Sequence, residues 1–199
     1  LMSLMMLSMV IVTITISIES ARRIVEVLNE KPTIVSPSNP IYNIDNGEIE
    51  FKNVSFKYKE EGNKYVLSNI NLKIESGQMI GILGGTGSGK TSLVNLISRI
   101  YDVNEGEVIL SGHNVKEYDV DSLRENIAVV LQKNILFSGS VKENLKWVNE
   151  NATDEEIIHF SKLACADEFV SKFEGGYDYK IEQGGSNVSG GQKQRLCIA

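Results

Sequence analysis

The sequence predicts an α/β domain that is preceded by an apolar helix. Three observations support this prediction: residues 1–18 are uncharged and mostly apolar, residues 84–91 form a glycine-rich loop between an apolar run and an amphipathic pattern, and helical patterns dominate toward residue 199. A chain of 199 residues suits one domain with additional residues. Apolar residues make up 42% and charged residues 23%, which is a globular composition.

Charge and cysteine content argue against two classes of site. The net charge is −6, and the longest basic cluster is the pair Arg22 and Arg23. Nucleic-acid binding requires basic side chains that neutralise phosphates, so we predict no nucleic-acid partner. Cys165 and Cys197 lack the spacing of metal ligands, and we predict that both are ordinary buried thiols.

Residues 1–18 have the length and composition of a membrane span. An uncharged run of ~18 residues is the lower limit for a helix that crosses a ~30 Å hydrocarbon core. Arg22 and Arg23 follow the run, and basic residues mark the cytoplasmic side of a span. We therefore predict that residues 1–20 are the end of a transmembrane helix, truncated before Leu1. A buried core helix and a signal sequence are the alternatives, and the latter requires basic residues before the apolar run.

A linker separates this helix from the main domain. A helical pattern continues to residue 29, and then Pro32, Pro37 and Pro40 prevent further helix and favour a stiff extended segment. We assign residues 21–46 to the helical extension and linker, and residues 47–199 to the domain.

The middle of the chain alternates between strand and helix patterns. Apolar and polar residues alternate over residues 49–56 and 66–74, as in half-buried strands. Residues 79–83 are continuously apolar, which is typical of a fully buried strand. Residues 90–101 carry apolar side chains at helical spacing, so the predicted order is strand, glycine-rich loop and helix.

The remainder is predicted to be mainly helical. Two further short strands are expected at residues 108–110 and 127–131. Thr153 is followed three residues later by Glu156, which is a capping box that predicts the start of a helix. Another short helix is expected over residues 167–173.

Residues 84–91 match the pattern G-x-x-x-x-G-K-[ST] of phosphate-binding loops. Glycines leave backbone amides accessible to a phosphate chain, and the following helix points its free N–H groups at the anion. We predict that Lys90 reaches the β- and γ-phosphates of a nucleotide and that the Thr91 hydroxyl binds Mg²⁺. The residues assigned to nucleotide binding in this segment are Gly84, Gly85, Thr86, Gly87, Ser88, Gly89, Lys90, Thr91 and Ser92.

A second short pattern, Ser189-Gly190-Gly191-Gln192, precedes another predicted helix. We assign these four residues to a second phosphate contact, because a helix N-terminus favours anions. A helix-capping turn without a ligand is the alternative. The presence of a phosphate loop earlier in the same chain favours the phosphate contact.

Together the two patterns resemble the nucleotide-binding domain of ATP-binding cassette (ABC) transporters, whose signature is L-S-G-G-Q. Val188 stands in place of the usual leucine. The resemblance spans residues 49–199 and implies a P-loop NTPase of the ABC ATPase type, with an antiparallel β subdomain and a helical subdomain. The apolar helix and linker are similar to those of exporters, and the chain looks like half of a bacterial multidrug or lipid exporter.

The resemblance implies roles for three further residues and names the cofactors ATP and Mg²⁺. Tyr58 matches the aromatic residue that stacks on adenine; a surface tyrosine is the alternative. Gln132 matches the catalytic glutamine that contacts Mg²⁺ and the attacking water, so the implied metal ligands are Thr91 and Gln132. Glu182 lies where exporters carry an acidic contact to the coupling helices of the membrane domain, and a solvated glutamate is equally compatible.

The resemblance also implies partners. Two such domains pair head to tail, so that Ser189, Gly190 and Gly191 of one chain cover the γ-phosphate held by Lys90 of the other. The expected partners are a second half-transporter, identical or different, the transmembrane coupling helices and the lipid membrane. The expected location is the cell membrane, with the nucleotide-binding domain in the cytoplasm.

Two catalytic elements of the family are not found after the signature in this sequence. In the family, an apolar strand that ends in Asp-Glu and then a switch histidine follow the signature, and residues 193–199 contain neither. Asp167 and Glu168 do follow an apolar run, but they precede the signature. We therefore expect this chain to bind ATP without turnover, and the complete protein to be the ATPase of a translocase.

Two other functions remain possible interpretations of the sequence. One is a soluble member of the same ATPase superfamily that acts in DNA repair or translation, and residues 1–18 argue against it. The other is an unrelated phosphate-loop kinase or GTPase, which leaves residues 189–192 unexplained.

Overall fold

A computed structural model describes residues 2–59 and 64–199 of the chain. The chain forms two compact units, Leu1–Ile127 and Ala128–Ala199. Each unit has its own hydrophobic core.

The first unit begins with one continuous helix, α1 (Met2–Asn29), which combines the predicted span with its helical extension. Its most apolar window has a mean hydropathy of 1.9 and no buried residues. In the described part of the chain it is the one helix with the length and composition of a membrane span. This exposure does not support the core-helix alternative, because a core helix is covered by other elements.

Hydroxyl groups of α1 are satisfied within the helix itself. The Oγ1 atoms of Thr13 and Thr15 donate to the carbonyls of Met9 and Ile11, both at 2.8 Å. Such bonds to the preceding turn cover polar groups that would otherwise be costly in an apolar environment. These hydroxyl groups are therefore compatible with an apolar surrounding.

The proline-rich linker is docked on the first unit. Ser36 Oγ donates to Asp119 Oδ2 at 2.8 Å and accepts from the Val120 backbone N at 3.0 Å. The backbone of Ile41 exchanges two hydrogen bonds with Glu117 and Asp119, each 2.9 Å long. We call residues 36–41 the strap, because they fasten the linker to the unit.

An antiparallel sheet forms the centre of the first unit. Its strand order is β2-β1-β3-β4, with β1 (Ile49–Phe56), β2 (Leu67–Ile74), β3 (Glu105–Leu110) and β4 (His113–Asn114). This confirms the strands predicted at residues 49–56, 66–74 and 108–110.

Two helices complete this unit, α2 (Lys90–Ile97) and α3 (Val120–Glu125). The prediction that the first of them extends to residue 101 was wrong, because Arg99 has a left-handed backbone with φ of 49°. Leu96 of α2 and Leu123 of α3 pack into the core beneath the sheet. The other buried members of this core are Phe51, Val54, Phe56, Leu67, Val108, Leu110, Val115 and Tyr118.

Two predicted strands are not formed. Residues 79–83 and 127–131 are irregular, and neither segment pairs with a strand in the described residues. Met79 and Leu83 are 98% and 96% exposed, so the prediction of burial was also wrong. The physical reason is that an apolar run becomes a strand only when a neighbouring strand pairs with its backbone groups.

The second unit is mainly helical. Its elements are β5 (Gly139–Ser140), α4 (Val141–Leu145), α5 (Asp154–Leu163), α6 (Asp167–Val170), β6 (Lys180–Ile181) and α7 (Gly190–Ile198). The capping box of Thr153 and Glu156 at the start of α5 is confirmed. The helix predicted over residues 167–173 is shorter than expected. The hydrophobic core of the second unit consists of Leu136, Val141, Ala166, Phe169, Val170, Ile181, Val188 and Leu196.

Both cysteines lie in the second unit, and both are exposed. The prediction that they are buried was wrong. Cys165 adopts a left-handed backbone with φ of 54° in the turn between α5 and α6, where its side chain faces solvent. Cys197 lies on the exposed side of α7, and Leu196 beside it is buried.

Candidate functional site

The glycine-rich loop wraps around the side chain of Lys90. Lys90 Nζ donates to the backbone carbonyls of Gly84 and Gly85 at 2.9 and 2.8 Å, and to Ser88 Oγ at 3.3 Å. These bonds hold the ammonium group within the curve of the loop. The loop and the lysine therefore form one local structure.

Two glycines give the loop its shape. Gly87 and Gly89 have φ of 81° and 88°, a region that side-chain-bearing residues rarely adopt. A Cβ atom on Gly89 would lie 2.8 Å from Leu67 Cδ2 and 3.2 Å from the Val66 carbonyl oxygen. The last loop residue therefore packs directly on the start of β2, which fixes the loop against the sheet.

The N-terminus of α2 differs from those of the longer helices in the second unit. Gly89 provides no side-chain cap for α2. In contrast, α5 and α7 both begin with complete capping boxes, formed by Thr153 and Ser189. An uncapped helix N-terminus presents free N–H groups and the positive end of the helix dipole, an arrangement that favours an anion. The free N–H groups of α2 and the ammonium group of Lys90 therefore lie at the segment where the sequence predicts phosphate binding.

Thr91 and Ser92 follow Lys90 in the first turn of α2, but their environments differ. Thr91 is exposed, so its hydroxyl is accessible from solvent. Ser92 is only 5% exposed, and its Oγ lies 2.6 Å from the phenolic oxygen of Tyr58. The structure thus brings Tyr58 into contact with the helix that starts at the phosphate loop.

Tyr58 belongs to a cluster of three aromatic rings. Its ring centroid lies 4.9 Å from that of Phe56 and 5.1 Å from that of Tyr101, with edge-to-face angles of 77° and 87°. Phe56 and Tyr101 are 5.6 Å apart. Phe56 is 2% exposed and Tyr58 is 52% exposed, so the cluster connects the core to the surface.

Gln132 and residues 189–192 belong to the second unit. Gln132 is an exposed residue in a bend. Ser189 is the N-cap of α7: its Oγ accepts from the Gln192 backbone N at 3.3 Å, and Gln192 Oε1 accepts from the Ser189 backbone N at 2.8 Å. The helix-capping turn that the sequence left as an alternative is therefore present.

The two glycines of this turn are open to solvent. A Cβ atom on Gly190 or Gly191 would meet no atom within 4 Å, and neither residue has a positive φ. Nothing in the described chain therefore requires glycine at these two positions. Gly85 in the phosphate loop shares this property.

A compact loop precedes Ser189. Glu182 Oε2 accepts from Ser186 Oγ at 2.6 Å, and Lys193 Nζ of α7 donates to the Gly184 carbonyl at 2.8 Å. Asn187 Oδ1 accepts from the Glu182 backbone N at 3.0 Å. The carboxylate of Glu182 is exposed and accepts a hydrogen bond from the neighbouring Ser186.

Sequence reasoning missed Tyr101 and Lys193. Tyr101 follows the end of α2, and the aromatic spacing between Phe56 and Tyr58 does not reveal a third ring from another segment. Lys193 directly follows Gln192, but its carbonyl partner is on a loop with no recognisable pattern. In both cases the contact depends on tertiary structure.

The sequence and fold match those of known transporters. The family described as ABC transporter matches residues 67–199. A multidrug export ATP-binding/permease protein of Staphylococcus aureus is 44% identical over 156 residues, covering 78% of this chain and 27% of that protein. ABC transporter B family member 2 of Dictyostelium discoideum is 43% identical over 153 residues, covering 77% of this chain and 11% of that protein.

A solved structure gives the same result. The structure of a bacterial Atm1-family ABC exporter with ATP bound superimposes with a TM-score of 0.82 at 26% identity, covering 91% of this chain and 31% of that chain. The chain thus spans a minor part of the length of the proteins it matches. The antiparallel sheet, the helical second unit and the apolar N-terminal helix agree with the fold predicted from the resemblance. Because the family match covers more than half of its residues, this chain belongs to the ABC transporter family and carries its nucleotide-binding domain.

Proposed function

We propose that this chain is the ATP-binding part of an ABC exporter, in which MgATP binding and hydrolysis by a head-to-tail pair of nucleotide-binding domains drive export across the cell membrane. The observation that carries this proposal is the phosphate loop, where Lys90 and the uncapped N-terminus of α2 converge. The Lys90 ammonium group donates to acceptors of the loop itself, and the oxygens of a phosphate chain can replace those acceptors while they also bind the free amides of α2.

The triphosphate occupies the loop of residues 84–92. Lys90 contacts the β- and γ-phosphates, and the first-turn amides of α2 bind the remaining oxygens. The open position of Gly85 supports this role, since a methyl group there would meet no protein atom but would obstruct a ligand. The exposed half of Tyr58 provides a flat surface for the adenine base.

We propose that Mg²⁺ binds beside the triphosphate. The protein ligands implied by the resemblance are the Thr91 hydroxyl, in the first unit, and the Gln132 amide oxygen, in the second, and hard oxygen donors suit Mg²⁺. No cluster of acidic, histidine or cysteine side chains that could hold a metal occurs in the described residues. The metal would therefore depend on phosphate oxygens for further ligands, as is usual for Mg²⁺ with nucleotides. When bound, it neutralises charge that develops on the phosphates, and Gln132 orients the attacking water.

The turn of residues 189–192 covers the γ-phosphate of a second copy or of a related half-transporter. The openness of Gly190 and Gly191 supports this proposal, because a phosphate can approach their N–H groups closely. Ser189 Oγ is already an acceptor in the capping box, and its own hydrogen has no acceptor among the residues the structure describes. It is therefore available to donate to a phosphate oxygen.

The remaining contacts connect the domain to the membrane. We propose that α1 lies in the lipid membrane, with the residues after it in the cytoplasm. Glu182, held by Ser186, contacts the coupling helices of the membrane domain, and Gln132 faces the same helices. The family membership and the exporter relatives support this assignment.

Lys90→Ala tests the nucleotide site. We expect this variant of the complete polypeptide to lose MgATP binding, measured by displacement of a fluorescent ATP analogue. Lys116→Ala is a control, because Lys116 lies outside the loop. Wild-type affinity in Lys90→Ala, or a preference for GTP in the unmodified protein, would contradict the proposal.

Ser189→Ala tests the pairing, but it also removes the N-cap of α7. Thr153→Ala is the matched control, since it removes the equivalent capping box of α5. Both variants should lose about 1 kcal/mol of stability. Only Ser189→Ala should weaken ATP-dependent pairing, measured by fluorescence energy transfer between copies labelled at the exposed Cys165, with Cys197, which is also exposed, replaced by serine. Equal pairing in the two variants would count against the head-to-tail arrangement.

Membrane fractionation tests the exporter assignment. We expect the complete polypeptide to sediment with membranes and to require detergent for extraction. Recovery in the soluble fraction without detergent would instead favour a soluble member of the superfamily.

A further inference from the structure

The base-binding surface proposed above is tied to the phosphate loop by specific contacts. Tyr58 is two residues beyond the end of β1, and Ser92 is in the first turn of α2. Their hydroxyl oxygens are 2.6 Å apart, which is a normal distance for an O–H···O hydrogen bond. Within residues 2–59 and 64–199, neither hydroxyl group makes another hydrogen bond.

We propose that Ser92 and Tyr101 are positioning residues that fix the orientation of the Tyr58 ring and thereby determine affinity for the base of the nucleotide. This inference rests on the proposed function, because it concerns the same ATP site. It adds a role for the Tyr58 hydroxyl group and for Tyr101, a residue outside the phosphate loop.

The contacts restrain the ring in two ways. The hydrogen bond to Ser92 fixes the phenolic end, and the edge-to-face contacts with Phe56 and Tyr101 fix the body of the ring. Phe56 is buried in the core and Ser92 is 5% exposed, so both anchors are enclosed by neighbouring atoms. Tyr58 itself remains 52% exposed, which leaves part of the ring accessible to a ligand.

This arrangement places the base and phosphate sites at a fixed separation. Ser92 follows Lys90 by two residues on the same helix. A ring held by Ser92 therefore keeps its distance from the Lys90 ammonium group. A preorganised surface binds more tightly than a mobile one, because the ligand does not have to order the side chain.

The hydrogen bond can also act on the phosphate side. If the Tyr58 hydroxyl donates to Ser92 Oγ, the Ser92 hydrogen is free to donate to a phosphate oxygen. Hydroxyl groups in such a chain polarise one another and strengthen the final bond. Loss of the Tyr58 hydroxyl should therefore weaken ATP binding even when the aromatic ring remains.

Three variants of the complete polypeptide test the inference by competition with a fluorescent ATP analogue. Tyr58→Phe and Tyr101→Ala should each raise the Kd for ATP by roughly three- to ten-fold, the usual effect of one lost hydrogen bond or aromatic pair. Tyr101→Phe should bind like the wild type, because the ring is retained. Inorganic triphosphate, which has no base, should bind equally to Tyr101→Ala and the wild type.

A double-mutant cycle tests the coupling of the two hydroxyls. The double variant Tyr58→Phe with Ser92→Ala should be no weaker than Ser92→Ala alone, since both changes remove the same bond. Tyr177→Phe is the matched control: its hydroxyl donates to Asp167 at 2.8 Å in the second unit, and its loss should leave ATP affinity unchanged.

The outcomes separate this inference from the proposed function. Unchanged ATP affinity in both Tyr58→Phe and Tyr101→Ala would overturn the inference but leave the ATP site intact. An equal loss of triphosphate affinity in Tyr101→Ala would also overturn it, because that result indicates general damage to the loop. Failure of the unmodified protein to bind ATP would instead overturn the proposed function.

Discussion

Gly191→Ala should separate the stability of α7 from its proposed role in pairing. Gly191 is the second residue of α7, and a Cβ atom there would meet nothing within 4 Å. Its φ is not positive, so alanine can adopt the same backbone. The substitution should therefore be tolerated by the folded chain.

Gly191→Ala should stabilise the folded chain, whereas most substitutions destabilise it. Alanine favours a helix over glycine by up to about 1 kcal/mol, and the benefit is smaller in the first turn. We expect the free energy of unfolding to rise by about 0.5 kcal/mol. Denaturant unfolding of the second unit, followed by the fluorescence of Trp147, measures this change.

The expected change in pairing is a loss. The Cα–Cβ bond of a helical residue is tilted toward the helix N-terminus, so the new methyl group points toward an anion bound there. Loss of one hydrogen bond to a charged group costs about 1.5–3 kcal/mol, equivalent to roughly 10- to 100-fold weaker ATP-dependent pairing. Energy transfer between copies labelled at Cys165 in the Cys197→Ser background measures the pairing.

Two results would refute this reasoning. Wild-type pairing in Gly191→Ala would show that no phosphate approaches this amide. A large loss of stability would show that the space around Gly191 is not open. Gly85→Ala is a useful comparison, because its Cβ is equally unobstructed but lies in the phosphate loop, where ATP binding should fall instead.

Three other predictions follow from contacts outside the site. Gly106→Ala should lose about 2–5 kcal/mol of stability in denaturant unfolding, because φ is 77° and the new Cβ would collide with the Lys52 carbonyl oxygen. Hydrogen bonds from Ser122 and Ser36 lower the pKa of Asp119 in the folded state. The charged carboxylate therefore stabilises the fold above the unfolded pKa, and this contribution is lost as pH falls through the lower folded pKa. The difference in stability between wild type and Asp119→Ala should be constant above about pH 5 and shrink below about pH 4. Lys193→Met should cost about 1 kcal/mol and increase amide exchange in residues 182–188, since it removes the bond to the Gly184 carbonyl.

Local patterns predicted this chain well where the interaction itself is local. The start of α2 at Lys90 and the capping box at Thr153 depend on residues within one turn, and both are confirmed. The predicted strand at residues 79–83 depends on a partner strand, which hydropathy does not identify. The end of α2 likewise depends on the left-handed backbone of Arg99, a residue type for which that conformation is uncommon.

In the candidate site, too, local features could be predicted from the sequence and long-range contacts could not. Both glycine-rich patterns could be recognised from sequence, since their chemistry depends on residues within one loop or turn. The contacts of Tyr58 with Ser92 and Tyr101 connect three segments that are distant in sequence. Predicting them requires the register of β1 against the sheet and the position at which α2 ends.

The strap limits how far α1 and the nucleotide-binding domain can move apart. Asn29 ends α1, and Ser36 is already hydrogen-bonded to Asp119 and Val120. These points are seven residue steps apart, and an extended chain covers about 3.5 Å per step, so the connecting segment spans at most about 25 Å. α1 itself is ~42 Å long at 1.5 Å per residue. If the domain moves so that the distance from Asn29 to Ser36 would exceed this length, either the end of α1 must move with it or the hydrogen bonds at Ser36 must break.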